Sequence, residues 1–137
     1  SSALTQKGKR VLLVDLDQQA SATKYLGLEP ERIIPNLYHV FIRQSPAAMA
    51  IQKLNWGFDL LPSSDLLAAV EEAMEAGKDE GLLKEFLMPL LVNYEYIILD
   101  SPPGKQLLSF NALFAADWIL APASAERMAI DGSTRRR

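Results

Sequence analysis

Short apolar runs punctuate the chain and alternate with segments of helical period. Val11 to Val14 and Tyr96 to Leu99 are uninterrupted runs that each end in an aspartate, and Trp118 to Ala121 gives a third. Runs of this length without polar alternation predict strands buried on both faces. The stretch Phe58 to Leu61, which precedes a Pro-Ser-Ser sequence, predicts a fourth strand. We therefore expect a mostly parallel sheet.

Three longer segments carry apolar residues at helical spacing. They run from Ser64 to Ala76, from Leu82 to Leu91 and from Gln106 to Ala116. Strands that alternate with helices of this length predict the α/β class, with three layers and helices on both faces of the sheet. Shorter helices are expected within 38–43 and 46–53, and Ser63 or Ser64 is expected to cap the helix behind it. The predicted core stripes are Leu67, Val70 and Met74; Leu83, Phe86, Leu87 and Leu90; and Leu107, Phe110, Leu113 and Phe114.

Length and composition restrict the possible chemistry. The 137 residues, 49% of them hydrophobic, predict one domain that spans residues 1–137. The absence of cysteine excludes a thiolate zinc site, and a single histidine, His39, leaves almost nothing for a Ser-His-Asp triad. The net charge is −3 and becomes −6 without Arg135 to Arg137, which argues against binding nucleic acid through general charge. The arginine tail is either solvated or a contact to a phosphate backbone.

Carboxylates follow two of the predicted strands at the point where each strand ends. Asp15 and Asp17 come after the first run, and Asp100 ends the run that precedes Pro102. Carboxyl ends of parallel strands meet at one edge of a sheet, where ligands bind in such folds. Oxygen ligands grouped there suit Mg²⁺. The alternative is that Asp15 and Asp17 cap a helix starting near Ala20 and that Asp100 opens a proline turn.

Two long segments resemble one known family. Residues 7–28, KGKRVLLVDLDQQASATKYLGL, and residues 94–132, YEYIILDSPPGKQLLSFNALFAADWILAPASAERMAIDG, are similar to the D-x-D and Walker B segments of ParA-type partition ATPases. Asn36 to Tyr38 and Leu60 to Ser63 lie at positions where that family has similar short motifs. The resemblance, to the ParA/MinD or deviant Walker group, covers nearly the whole chain in the right order.

This resemblance implies ATP and Mg²⁺ as cofactors. By position, Asp100 resembles the Walker B carboxylate that holds Mg²⁺ through a water, and Asp15 resembles its companion near the metal. Asp17 resembles the catalytic carboxylate that positions water for hydrolysis. Gln18 stands where the family usually has proline and Ala20 where it often has glycine. These two changes would loosen the loop without removing a ligand.

The resemblance also implies a cellular role. The family forms a homodimer on binding ATP, works in the cytoplasm with a ParB-like adaptor protein, and partitions plasmids or chromosomes, with non-specific DNA as a further partner. No apolar run approaches the roughly 20 residues that cross a bilayer. A relative that serves conjugation or cell-pole positioning is the alternative within the same fold.

The family's phosphate-binding loop, K-G-G-x-G-K-T, has no counterpart in these residues. Gly8-Lys9, Gly77-Lys78 and Gly104-Lys105 are not followed by Ser or Thr. We therefore expect a central segment, shorter than the family at both ends and inactive alone. The alternative is a degenerate member that acts only as an interaction module.

Three smaller features have an ordinary and a functional interpretation. Gly104-Lys105 opens a helix and could contact phosphate, and Asn111 is either an amide satisfied by helix packing or a nucleotide contact. The acidic residues Glu71, Glu72 and Glu75 predict a solvated helix face.

Overall fold

The computed structural model describes residues 10–75, 78–101 and 107–117. Within these ranges the chain forms a four-stranded sheet, six α-helices and two short 3₁₀ helices, Pro30–Arg32 and Met88–Val92. The strands are β1 Val11–Asp15, β2 Gln52–Lys53, β3 Asp59–Leu61 and β4 Tyr96–Asp100. The α-helices are α1 Ser21–Tyr25, α2 Leu37–Phe41, α3 Ala47–Ala50, α4 Leu67–Ala73, α5 Leu82–Leu87 and α6 Leu107–Ala115.

The sheet has the order β2-β3-β1-β4. β1 lies between β3 and β4 and runs parallel to both, with Val14 opposite Leu61 and Asp15 opposite Asp100. The predicted mostly parallel α/β architecture is confirmed. β2 pairs antiparallel with β3 and was not predicted, because two polar residues give no apolar run.

The predicted strands differ in how deeply they lie. β1 is buried at four of its five positions, as its apolar run predicts. β4 is half-buried, and its Tyr96 side chain is 44% exposed, so burial on both faces was wrong for this strand. The reason is its position, since β4 has only β1 beside it among the described strands. The predicted strand from Trp118 to Ala121 lies outside the described residues.

The predicted helices are present but shorter. The stripes of α4 and α5 are confirmed, since Leu67, Val70, Leu83 and Leu87 are buried in the core. The stripe of α6 was wrong: Phe110, Leu113 and Phe114 are exposed, and the buried residues are Leu108, Ser109, Asn111 and Ala112. α6 carries apolar side chains all around, so periodicity could not choose its buried face.

Hydrogen bonds at loops place the helices that flank the sheet. Asn36 caps α2 by accepting the N–H of Tyr38 at 2.8 Å, and His39 Nδ1 accepts the N–H of Asn36 at 3.1 Å. This reciprocal pair is a capping box, and it gives the single histidine a structural partner. Ser64 Oγ accepts the N–H of Leu66 at 3.0 Å in the turn before α4. The predicted serine cap of this helix was wrong, because Leu66 occupies the N-cap position and makes no side-chain cap bond; Ser64 stabilises the preceding turn instead.

Candidate functional site

Asp15 ends β1 as a fully buried carboxylate. Its Oδ2 accepts the N–H of Thr23 at 2.9 Å and the Thr23 hydroxyl at 2.7 Å, while Oδ1 accepts the N–H of Asp17 at 3.2 Å. Thr23 is the third residue of α1, so Asp15 satisfies one of the free N–H groups at that helix start. The capping role considered for Asp15 is therefore present. Burial raises the pKa of Asp15, the hydrogen bonds from Thr23 and Asp17 oppose the rise, and the nearby Asp17 charge adds to it.

Further hydrogen bonds, through Thr23 and Ser63, connect the Asp15 carboxylate to the end of β3. The Thr23 hydroxyl accepts the N–H of Ser63 at 3.2 Å, and the Ser63 hydroxyl donates to the main-chain carbonyl of Asp17 at 2.6 Å. Thr23 and Ser63 are both fully buried. Neither was identified from the sequence as a site residue, and Ser63 was considered only as a helix cap. The available signal for Ser63 was its place directly behind β3, at the same edge as the aspartates.

Asp17 lies two residues beyond β1 and is half-buried. Its Oδ1 accepts the N–H of Gln19 at 3.0 Å, and its carbonyl accepts the N–H of Ala20 at 2.8 Å. Gln19 precedes α1, so Asp17 stabilises the loop and does not cap the helix. Ala20 has φ 56°, in the left-handed region that favours glycine, which gives a physical reason for the glycine often found there in similar proteins.

Asp100 faces the end of β1 from the neighbouring strand. The N–H of Leu16 donates to the Asp100 carbonyl at 2.9 Å, which extends the pairing of the strands past Asp15. The Asp100 side chain is exposed, and among the described residues it makes no hydrogen bond. Partial desolvation raises the pKa of Asp100, and the charges of Asp15 and Asp17 raise it further. The parallel register places Asp15 opposite Asp100, and Asp17 follows two residues after Asp15, so the three predicted carboxylates lie at the same edge of the sheet.

The carboxylates at this edge suit a cation that takes most of its ligands from water and from substrate phosphates. Among residues 10–75, 78–101 and 107–117, no three acidic or histidine side chains converge to form a metal cluster. The Asp15 oxygens are occupied by internal donors, whereas the Asp100 carboxylate is open to solvent. Mg²⁺ is typically held by one or two carboxylates together with waters and substrate phosphates. The edge fits such an ion and does not provide an all-protein cage.

The start of α6 has an internal anion next to it. Glu71 of α4 accepts the N–H groups of Leu107 and Leu108, the latter at 2.9 Å. A carboxylate at this position satisfies free amide groups and complements the helix dipole. The prediction that Glu71 belongs to a solvated face was wrong. Gly104-Lys105, the alternative phosphate contact, lies outside the described residues.

Asn111 is a fully buried amide on α6. Its Oδ1 accepts the N–H of Leu83 at 2.9 Å, and its Nδ2 donates to the carbonyls of Asp79 at 3.2 Å and Leu107 at 3.0 Å. These bonds join α6 to α5 and to the segment before it. Of the two interpretations of Asn111, the structural one matches its contacts.

The opposite edge of the sheet contains a groove of about 410 Å³. Its lining includes Arg10, Lys53, Asp59 and Tyr94. Asp59 Oδ2 accepts the Tyr94 hydroxyl at 2.5 Å and lies 3.1 Å from the Lys53 ammonium. Burial, and then the bond to Asp59, raise the pKa of Tyr94. Asp59, Lys53 and Tyr94 thus bind one another in this groove, and none of the three aspartates lines it.

Comparison with known proteins identifies the family. A sequence model described as AAA domain matches residues 1–135. The chromosome partitioning protein ParA of Myxococcus xanthus is 33% identical over 134 residues, which are 96% of this chain and 47% of that protein. The chain spans about half the length of the curated relatives it matches.

Solved structures agree with this result. Cobyrinic acid a,c-diamide synthase from Mycobacterium smegmatis, crystallised with a bound ATP analog and magnesium, superposes with a TM-score of 0.85 at 35% identity, over 96% of this chain and 54% of that chain. A plasmid partition protein from Borrelia burgdorferi gives a TM-score of 0.77 at 30% identity, over 96% of this chain and 60% of that chain. The chain therefore belongs to the AAA domain family, and it is similar to ParA-type partition proteins.

Proposed function

We propose that these residues form the magnesium side of the ATP site in a ParA-type ATPase that partitions plasmids or chromosomes. The observation that carries the proposal is the placement of Asp15, Asp17 and Asp100 at the carboxyl ends of β1 and β4, where burial and then the charges of Asp15 and Asp17 raise the pKa of Asp100. A divalent cation relieves repulsion of this kind. A solved relative that was crystallised with an ATP analog and magnesium supports the same cofactors here.

The three carboxylates have different tasks in this proposal. Asp100 has an open carboxylate and serves as the Walker B group that holds Mg²⁺ through a water. Asp17 is the catalytic group that orients the attacking water, since its half-buried side chain projects from a loop and keeps one oxygen free of described donors. Asp15 contributes negative charge near the metal and supports the loop, because its own oxygens accept three internal hydrogen bonds.

Bound Mg²⁺ would supply charge neutralisation to the β- and γ-phosphates, the main requirement of phosphoryl transfer. The protein residues fix the position of the group that orients the attacking water. Asp15 and Thr23 fix the start of α1 against the end of β1, which limits the movement of the Asp17 loop. Precise placement of a water-orienting group accelerates hydrolysis without strengthening nucleotide binding.

The wider role follows from the family. We propose a cytoplasmic protein that forms a homodimer on binding ATP, works with a ParB-like adaptor and contacts non-specific DNA through surfaces beyond these residues. Among the described residues, no helix is long and apolar enough to cross a membrane. Serving conjugation or cell-pole positioning is the alternative within the same family.

The decisive experiment uses a protein that carries these 137 residues behind a K-G-G-x-G-K-T segment. Asp17→Ala is expected to keep MgATP affinity and to lose hydrolysis, while Asp100→Ala is expected to weaken Mg²⁺-dependent binding itself. Asp65→Ala removes an exposed carboxylate outside the site and serves as the control. Equal losses of binding in both site variants would contradict the division of roles.

The 137-residue chain alone is expected to bind MgATP very weakly and to show no hydrolysis above background. The reason is that the aspartates place a metal, whereas the phosphates lack the donors and the lysine charge of a P-loop. Calorimetry and a phosphate-release assay measure both quantities. Micromolar affinity with turnover that Asp17→Ala abolishes would place the phosphate site within these residues. Absence of binding even in the extended protein would favour a non-hydrolysing interaction module.

A further inference from the structure

The Asp17 loop is fixed by residues from three separate elements. Asp15 ends β1, Thr23 lies in α1 and Ser63 follows β3. Their hydrogen bonds form a chain from the Asp15 carboxylate through the Thr23 hydroxyl to the Ser63 N–H, and from the Ser63 hydroxyl to the Asp17 carbonyl. Asp15, Thr23 and Ser63 are fully buried, so water cannot replace these partners without opening the structure.

The contact from Ser63 to Asp17 is the last link in this chain. At 2.6 Å it is the shortest of the five bonds that join Asp15, Asp17, Thr23 and Ser63. The Asp17 carbonyl also accepts the N–H of Ala20 at 2.8 Å, and the Asp17 N–H donates to Asp15 Oδ1 at 3.2 Å. The Ala20 contact is local, so within the described residues only the Ser63 hydroxyl ties the Asp17 carbonyl to the sheet.

We propose that Ser63 is a positioning residue for Asp17, and that the Thr23–Asp15 pair orients Ser63 for this task. The hydroxyl fixes the main chain from which the Asp17 carboxylate projects, and so sets where a water-orienting group stands relative to Asp100. The proposal rests on the proposed function for the catalytic meaning of that geometry. The geometric part concerns this chain alone and is tested without turnover.

The test is amide hydrogen exchange by NMR on the 137-residue chain. The Gln19 N–H reports the Asp17 side chain, at 3.0 Å from Oδ1, and the Ala20 N–H reports the Asp17 carbonyl. Ser63→Ala is expected to speed exchange of both amides by about 3- to 10-fold, the equivalent of one lost hydrogen bond. Exchange at Leu12 and Val14 in β1 should stay unchanged, because the sheet pairing remains.

Ser64→Ala is the matched control. Ser64 is also buried, but in the part of the chain that the structure describes its hydroxyl accepts only the local N–H of Leu66. This variant should leave Gln19 and Ala20 at the wild-type rates. If Ser63→Ala and Ser64→Ala have the same effect on these two amides, Ser63 does not position Asp17 and the proposal is wrong.

A second pair of variants keeps the test decisive if Ser63→Ala loosens the whole domain. Thr23→Val has nearly the same shape but lacks the hydroxyl that joins Asp15 to Ser63, whereas Thr23→Ser retains it. We expect faster exchange at Gln19 and Ala20 in Thr23→Val and wild-type rates in Thr23→Ser. Failure of serine to restore the rates would overturn the role given to the hydroxyl.

A Mn²⁺ titration of the same samples separates the two proposals. Broadening of the Asp17 amide by Mn²⁺ in the wild-type chain tests the metal side of the proposed function. Without such broadening, the proposed function loses its support even if Ser63→Ala has the expected effect. With it, unchanged Gln19 exchange in Ser63→Ala would refute the positioning role alone.

Discussion

The two edges of the sheet, at the amino ends and at the carboxyl ends of the parallel strands, differ in whether their carboxylates have partners. At the edge where β2 and β3 meet, Asp59 is neutralised by Lys53 and receives the Tyr94 hydroxyl. At the other edge, burial and the charges of Asp15 and Asp17 raise the pKa of Asp100, and no described cation pairs with these three carboxylates. The first arrangement is complete in itself, whereas the second has excess negative charge.

This difference separates a structural cluster from a candidate binding site. Ionisable groups whose partners are all present stabilise the fold and need no ligand. Groups held close together with like charge reduce stability, and such an arrangement is typical of functional sites. Within the unbalanced edge, Asp15 is itself divided between the two roles, because its hydrogen bonds are structural while its charge acts on Asp100.

Removal of the Asp15 carboxylate should have the largest effect on stability. Asp15→Ala would leave the buried N–H and hydroxyl of Thr23 without their acceptor, at a cost of about 2–4 kcal/mol in the free energy of unfolding. Urea unfolding followed by circular dichroism measures this. Asp65→Ala, an exposed carboxylate, should change the value by less than about 0.5 kcal/mol. Similar values for the two variants would show that the Asp15 network contributes nothing.

Substitutions at the edge that contains Asp59 and Tyr94 should lower the free energy of unfolding by less. Asp59→Ala leaves the buried Tyr94 hydroxyl without an acceptor and should cost about 1–2 kcal/mol, and Tyr94→Phe about 1 kcal/mol. The double variant should cost less than the sum of the two, because both remove the same bond. The same unfolding assay applies. Additive losses would mean that the bond between Asp59 and Tyr94 contributes no interaction energy to stability.

Neutralising Asp100 should stabilise the chain. Asp100→Asn removes repulsion at an exposed site, so we expect a gain of about 0.5 kcal/mol, or a rise of about 2 °C in Tm. Mg²⁺ should raise the Tm of the wild-type chain more than that of the variant, because the open carboxylate is absent. A lower Tm in Asp100→Asn at neutral pH would contradict the repulsion.

The pH dependence has a definite sign. Asp15 and Asp100 both have a pKa above the reference value of 3.8 in the folded chain, so the folded state holds more protons than the unfolded state just above that pH. Their favourable contribution is complete below pH 3.8 and is lost as the pH rises through the raised values. The loss should be smaller in Asp100→Asn, which thermal melts between pH 4 and 7 would measure. An equal pH dependence in both proteins would be inconsistent with this assignment.

The smallest expected effect belongs to Lys53. Its side chain is 79% exposed, and its ion pair with Asp59 is therefore screened by solvent. Lys53→Ala should change the free energy of unfolding by no more than about 0.5 kcal/mol. A loss that equals the effect of Asp59→Ala would mean that the ion pair, and not the Tyr94 hydrogen bond, carries the stability of this edge.

The sequence predicted the three parallel strands and the edge at which the aspartates lie, but it did not predict β2 or the partial exposure of β4. β1, β3 and β4 form where the apolar runs predict, because buried parallel strands need continuous apolar residues. The position of Asp100 opposite Asp15 follows from the parallel register. The predicted buried face of α6 was wrong because the helix carries apolar side chains on all of its sides, so their spacing does not indicate which face is buried.

The connections between distant polar residues could not be predicted. Thr23 and Ser63 lie 40 positions apart, and Glu71 contacts a helix start 36 positions away. Hydrophobic periodicity carries no information on which buried hydroxyl or carboxylate faces which amide. Such partners depend on packing geometry, which short sequence patterns do not encode.

Paramagnetic broadening by Mn²⁺, a substitute for Mg²⁺, tests most directly whether the unbalanced edge is the cation site. Amide spectra of the 137-residue chain should lose intensity first at Leu16, Asp17 and Ser101, while Phe58, Asp59 and Asn93 at the opposite edge keep theirs. Asp100→Asn should abolish most of this loss. Equal broadening at both edges, or broadening centred on Asp59, would contradict the assignment of the metal to the Asp100 edge.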